Sequence, residues 1–296
     1  MTTKTVEPKQ NKKTWGNWFR EVGFRHVVGV VAVVYSIFPI LYVFSAALNP
    51  STGTTLSSSN SLFSALSLEN FRELGEQTKF WTWFLNTLQI GVITAIGTVI
   101  MGAAAAFAFS RYRFKGRKGS LLTLMVIQMF PQLLAFVAVF SLLVTMGEII
   151  PALGLNSKYS LIAVYLGGAL GANTFLMYGT FNSIPMELDE AARIDGASHA
   201  TIYWTIIMPL VTPILAVVAL LSFIGAFNDF LLASVILTGD DNWTIAIGMN
   251  KWVGGLEKHW DWFTAGAVIA SLPILSLFLF LQKYIVAGLT GGSVKG

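Results

Sequence analysis

The sequence predicts an all-α integral membrane protein with six transmembrane helices, and three observations lead there. Charged residues are only 11% of the chain, against about 25% in soluble domains. Hydrophobic residues reach 54% and gather into six runs, at about 27 to 48, 85 to 109, 120 to 145, 159 to 180, 210 to 236 and 263 to 286. Each run meets the roughly 20 residues that cross a hydrocarbon core of about 30 Å at 1.5 Å per residue. The runs are continuously apolar rather than alternating at period two, so they read as helices and not barrel strands.

The first span, in an expected membrane domain of residues 27–286, follows a basic leader, 1–26, that carries Lys4, Lys9, Lys12, Lys13, Arg20 and Arg25. Its apolar run exceeds a usual signal-peptide core, so we expect an uncleaved helix rather than cleavage near Ser45-Ala46-Ala47. The second span leads to a basic loop with Arg111, Arg113, Lys115, Arg117 and Lys118, and the third begins directly after it. A polar segment, 181–209, joins the fourth and fifth spans, a Trp-rich loop, 237–262, joins the fifth and sixth, and a short tail, 287–296, ends the chain. Six spans put fourteen of the nineteen Lys and Arg residues on one side. By the positive-inside rule that side, with both termini and the 181–209 segment, is cytoplasmic.

Composition also excludes. The chain has no cysteine, hence no disulfide framework or thiolate metal site, and its three histidines, His26, His199 and His259, are too scattered for a metal cluster. The net charge of +4 sits at the membrane flanks, where topology and anionic lipid explain it without nucleic acid. No phosphate-binding Gly-x4-Gly-Lys-Ser/Thr loop exists, so any ATP is hydrolysed elsewhere. Trp81, Trp83, Trp243, Trp252, Trp260 and Trp262 fall in or beside outer segments, as interfacial anchors would.

The polar segment has internal logic. Pro185 and the carboxylates of Glu187, Asp189 and Glu190 read as a first helical turn. Gly196 is placed to end that helix in a left-handed cap, and Ser198 to cap the next. Leu188, Ala191 and Ala192 make a narrow face of small residues that admits a partner surface, beside Glu190. Taken alone, Asp189 and Arg193 also fit a solvated i, i+4 pair.

The spacing of Glu190-Ala191-Ala192, Gly196, Ile206, Met208 and Pro209 resembles the "EAA" loop of ABC importers: Glu-Ala-Ala, three residues, Gly, nine residues, Ile-x-Leu-Pro. Met208 replaces the usual Leu, a near-isosteric change. Phe107-Ala108-Phe109-Ser110-Arg111, Gln128-Met129-Phe130-Pro131, Tyr165-Leu166-Gly167-Gly168 and Gly288-Leu289-Thr290 extend the resemblance to the MalG-type permeases of maltose and maltodextrin importers, over roughly 85 to 296. The resemblance implies a type I ABC importer permease fold in the bacterial cytoplasmic membrane. It also implies a second, MalF-like permease, a MalK-like ATPase dimer and an extracytoplasmic sugar-binding protein as partners. ATP and Mg would sit on the ATPase, with no cofactor or metal on this chain. Maltose or maltodextrin is the favoured cargo, with trehalose or another oligosaccharide as the alternative.

By the same resemblance, Glu190, Ala191, Ala192, Asp195, Gly196, Ile206 and Pro209 couple to the ATPase. Gly254, Gly255, Leu256 and Glu257 occupy the loop that enters the binding protein, and the tail reaches between the ATPase subunits. Asp229 is the one acid inside an expected span. A carboxylate there costs about 2.5 to 3.5 kcal/mol, so it faces protein or water, either as an inter-subunit or snorkelling group or as a pathway residue. A secondary transporter, with midplane polar groups of its own, is the first rival reading, and a membrane enzyme, for which the sequence offers no His, Cys or carboxylate cluster, is the second.

Overall fold

The computed structural model describes residues 19–50, 62–255 and 258–291. Its helices are α1 (Phe24–Ala47), α2 (Glu69–Gln77), α3 (Phe80–Arg111), α4 (Arg117–Gln128), α5 (Gln132–Ile149), α6 (Lys158–Ser183), α7 (Glu187–Ile194), α8 (Met208–Asn228), α9 (Leu231–Ile236), α10 (Ile245–Gly254) and α11 (Trp260–Gly291). A turn at His199–Thr201 and a π-helical stretch at Ile202–Ile207 run straight into α8. Five helical segments are long and apolar enough to cross a membrane: Glu21–Ala47, Phe80–Arg111, Lys158–Ser183, His199–Asn228 and Trp260–Ile285. A sixth, Leu134–Ile149, is apolar but shorter.

Two of the expected spans are broken. The run at 120 to 145 divides into α4 and α5, because Pro131 has no N–H for the helical ladder and biases Phe130 away from helical geometry. The run at 210 to 236 stops at Asn228 and resumes as α9, with extended backbone at Asp229 (ψ 118°). Asp229 therefore lies in a break between helices and not within a helical span, which corrects the sequence expectation. Its carboxylate accepts long hydrogen bonds from Leu232 N (3.4 Å) and Ala233 N (3.3 Å), so it caps the helix that follows.

α3 and α6 form the most extensive helix pair, α8 lies across α3, and α11 packs on α8 and α1. Most of α1 is exposed, with Tyr35 at 80%. Its end is tied by Asn70, whose amide donates to the carbonyls of Ala47 and Asn49, each at 3.0 Å.

The core gathers at the two ends of the bundle. Near Lys158, α10 folds back on α3 and α11, and Trp83, Trp243, Trp252 and Trp262 join one aromatic cluster. Trp83 and Trp252 are buried there, so these two are core rather than interfacial anchors. Gly248 makes that packing possible, since a Cβ would lie 2.0 Å from the Trp83 ring. At the opposite end, Phe107, Met177, Phe181, Ala192, Ile202 and Ile207 form a second cluster that binds α7 to the transmembrane helices.

Candidate functional site

The segment after α6 is built by local rules. Ile184 is extended and Met186 is the residue before the first turn of α7, so Pro185 stands outside the helix rather than within its first turn. α7 ends at Ile194 with Asp195 as its C-cap, and Gly196 takes φ +84°, the left-handed conformation expected of it. Ser198 Oγ accepts from Thr201 N at 3.1 Å, the expected cap. Beyond it the helix does not stop at Pro209. His199 to Asn228 is one continuous helix of 30 residues, so the second half of this segment is the base of a membrane-length helix.

α7 has two faces. Asp189 and Ala192 point inward and are buried, while Glu187, Glu190, Ala191 and Ile194 share the outward face at spacings of three and four. The expected small-residue face is thus divided, with Ala192 in the core and Leu188 and Ala191 outside. Ile194 is 87% exposed, an unusual position for an isoleucine. Asp195 and Gly196 are also exposed, Pro209 is exposed and Ile206 half-buried against the second cluster.

Asp189 does not pair with Arg193. Its Oδ2 lies 2.9 Å from Nε of Arg111, and both side chains are almost wholly buried, at 4% and 2% exposure. Nε is off the line of a well-formed hydrogen bond, and Arg111 Nη2 and Asp189 Oδ1 have no hydrogen-bond partner among the described residues. Arg111 Nη1 donates to Phe181 O at 3.1 Å. The guanidinium therefore sits at the C-terminal ends of both α3 and α6, and the carboxylate in the first turn of α7, where the helix dipoles favour each charge. Phe107 and Tyr112 add ring contacts to Tyr203 and His199. α7 is thus a short helix keyed into the bundle by a buried ion pair, with a carboxylate and an alanine facing out.

Of the other expected site residues, Gly254 ends α10 and Gly255 follows with extended backbone. Leu256 and Glu257 lie outside the described residues, as do most of the basic leader and the tail from residue 292. Arg111 and Ile194 were not singled out by sequence reasoning. Ile194 continues the Glu187-Glu190-Ala191 stripe and was legible in that periodicity. Arg111 enters the sequence reading as a basic flank and as the end of the Phe107–Arg111 motif, and nothing local links it to a carboxylate 78 residues away.

The profile of the family described as binding-protein-dependent transport system inner membrane component matches residues 98–291, the whole of this site included. The chain belongs to that family. This inner membrane component is 37% identical over 277 residues to the galactooligosaccharides transport system permease protein GanQ of Bacillus subtilis (strain 168), covering 92% of this chain and 95% of GanQ. It is 39% identical over 261 residues to the maltodextrin transport system permease protein MdxG of the same organism, covering 88% and 91%. The maltose/maltodextrin transport system permease protein MalG of Vibrio parahaemolyticus is 41% identical over 215 residues, covering 73% and 72%. In fold, the component is similar to a chain of a bacterial ABC transporter involved in the import of the acidic polysaccharide alginate, with a TM-score of 0.75 at 22% identity, covering 92% and 98%. It is a permease subunit of a multi-pass, bacterial membrane transport system and not itself an enzyme.

Proposed function

We propose that this permease carries an oligosaccharide, with maltodextrin as first candidate, and is driven by an ATPase that grips α7. The cargo class rests on relatives named for maltodextrin and galactooligosaccharides that align over most of both chains. Trehalose or another oligosaccharide stays open as the alternative. The partners are a MalF-like second permease, a MalK-like ATPase dimer holding ATP and Mg, and an extracytoplasmic binding protein. No cofactor belongs to this chain.

The observation that carries the coupling role is the division of α7 into a locked and an open face. Arg111 and Asp189 hold the helix, while Glu190, Ala191 and Ile194 stand clear. Glu190 offers a carboxylate to a cationic partner, Ala191 permits close approach, and Ile194 supplies apolar area. A push on that face reaches α3 through Arg111 and α8 through the continuous helix from His199. Asp195 and Gly196 shape the bend, and Ile206 and Pro209 stand at the base of the helix that receives the load. The end carrying α7 is cytoplasmic in this reading, as are both termini. At the other end, the Gly254–Glu257 segment reaches the binding protein, with α10 fixed behind it by the aromatic cluster.

Glu190→Lys tests the coupling role in the assembled complex. Uptake should fall sharply and the ATPase should co-purify poorly, in a chain inserted at the normal level. Normal uptake with normal ATPase retention would remove Glu190 from the joint.

A further inference from the structure

A cavity of about 820 Å³ lies between α5, α6 and the broken α8–α9 segment. It is bordered by both helix breaks, with Ala135 and Phe136 just beyond Pro131 on one side and Asp229 on the other. Broken helices near the middle of a transporter's spans are where irregular backbone lines a cavity for cargo. Tyr165 lies seven residues into the 26-residue α6 from its Lys158 end, about 10 Å along the axis.

Three glycines face this space. A Cβ at Gly167, Gly168 or Gly225 would meet nothing within 4 Å, and all three line the cavity. They were not spared side chains to let helices approach, so the room they leave is open. The walls are chiefly apolar, and of the lining residues Asp229 alone carries a charge. Tyr165 donates its hydroxyl to Asp229 Oδ2 at 2.6 Å.

Resting on the carbohydrate reading above, we propose that this cavity is a cargo station on this subunit, built for one unit of a neutral sugar. Its polar contact is the Tyr165–Asp229 pair. Asp229 Oδ2 is a hydrogen-bond acceptor here, and a sugar hydroxyl donates to such an oxygen as the Tyr165 hydroxyl does. A hydroxyl therefore shares or takes over Oδ2 while the apolar walls cover the C–H faces of the ring. A carboxylate with no cation beside it among the described residues rejects an acidic sugar by the same logic. Because Asp229 also caps α9, an occupant touches the junction where α8 gives way to α9.

The chain contains no cysteine, so single cysteines report cleanly. In the assembled complex, Gly168→Cys should react with a polar methanethiosulfonate and be protected by maltotriose. Gly179→Cys, on the same helix but outside the cavity, should show no protection. Tyr165→Phe keeps the ring and removes the donor, and should lower maximal maltotriose uptake about tenfold at saturating binding protein, the effect of losing one hydrogen bond to a charged group. Reaction at residue 168 without protection, or no reaction because the second permease fills the cavity, overturns the proposal, as does unchanged uptake by Tyr165→Phe. Should the parent complex take up no oligosaccharide of either neutral or acidic type, the carbohydrate reading falls and this proposal with it.

Discussion

The two ends of the bundle are fastened in opposite ways. At the α7 end one buried ion pair, Arg111 to Asp189, ties the helix to the ends of α3 and α6. At the α10 end the connection after α9 is fastened by many separate bonds, neutral ones at its centre and lysine contacts at its edge. Asn86 Nδ2 donates to Asp241 O (2.8 Å) and Trp243 O (3.0 Å), Trp83 Nε1 to Asp240 O (2.8 Å), and Thr87 Oγ1 accepts from Ile245 N (2.7 Å). Asn156 accepts from Gly239 N through its side chain and from Asn242 Nδ2 through its carbonyl, each at 2.8 Å. Lys158 reaches Asn86 and Gln89, and Lys79 reaches Asp240 and Asp241. A distributed network loses little with any one bond and keeps its shape. A single buried pair concentrates the polar connection beside the apolar packing of Ala192, so α7 moves with the ends of α3 and α6 as one joint.

The contrast can be broken most directly at Arg111. Arg111→Ala leaves Asp189 buried without its counter-charge and should destabilise the docked α7 by about 3 to 5 kcal/mol. Thermal unfolding of the detergent-solubilised complex should show the loss, and ATPase retention should fall with it. Arg111→Met combined with Asp189→Leu should recover most of the stability, because two apolar groups replace two charges. A double variant no better than Arg111→Ala would mean that the pair is not the joint.

The network should give way by smaller steps. Asn86→Ala removes two donors and the acceptor used by Lys158, at about 1 to 3 kcal/mol, while the α7 end keeps its ATPase. Hydrogen exchange should rise around residues 239–244 alone; a rise that spread to α7 would show the two ends are not separately fastened. Gly196→Ala should cost about 1 to 2 kcal/mol, all of it conformational, since the φ of +84° is disfavoured for alanine and nothing lies within 4 Å of its Cβ. An unchanged unfolding temperature would rule out strain at that bend.

The smallest effect belongs to Lys79. Asp241 and then Asp240, by hydrogen bonds, hold its pKa above the usual lysine value, and Lys79 holds Asp240 below the usual aspartate value. The contribution of Lys79 is full below about 10.4 and fades as pH rises through its raised value; that of Asp240 is full above about 3.9 and fades as pH falls through its lowered one. Between these limits Lys79→Ala should run parallel to the parent in unfolding temperature, with a small offset that salt erases. A steep difference near neutral pH would assign the contact some other titrating group.

Local features were legible in the sequence because local chemistry dictates them. Gly196 has left-handed backbone and Ser198 caps a turn, as their residue types at those spacings imply. The end of the first span and the start of the fourth also follow from run length, whereas the helix of the fifth begins at His199 and not near residue 210. The two breaks were harder, because hydropathy counts apolar residues and is blind to a missing N–H. Pro131 and Asp229 were in view, yet the runs around them stay apolar. The burial of Trp83 and Trp252 depends on α10 folding back, which no outer-loop composition specifies. The Arg111–Asp189 pair is a long-range contact, and a sequence in which Arg193 stands four residues from Asp189 suggests the wrong partner.

The π-helical stretch at Ile202–Ile207 has a consequence for phase. Each residue of an α-helix turns the chain about 100°, and a π turn accommodates one residue more than the α ladder allows. The bend at Gly196 therefore keeps the heading that an uninterrupted α-helix one residue shorter would give it. Removing one residue between Ile202 and Ile207 should close the stretch into plain α-helix and leave Ser198, and with it α7, on the same side of α8, whereas removing two should swing them about 100° around its axis. The two-residue deletion should abolish uptake in a chain that still inserts, while the one-residue deletion and single conservative substitutions along the same stretch leave the heading of α7 unchanged.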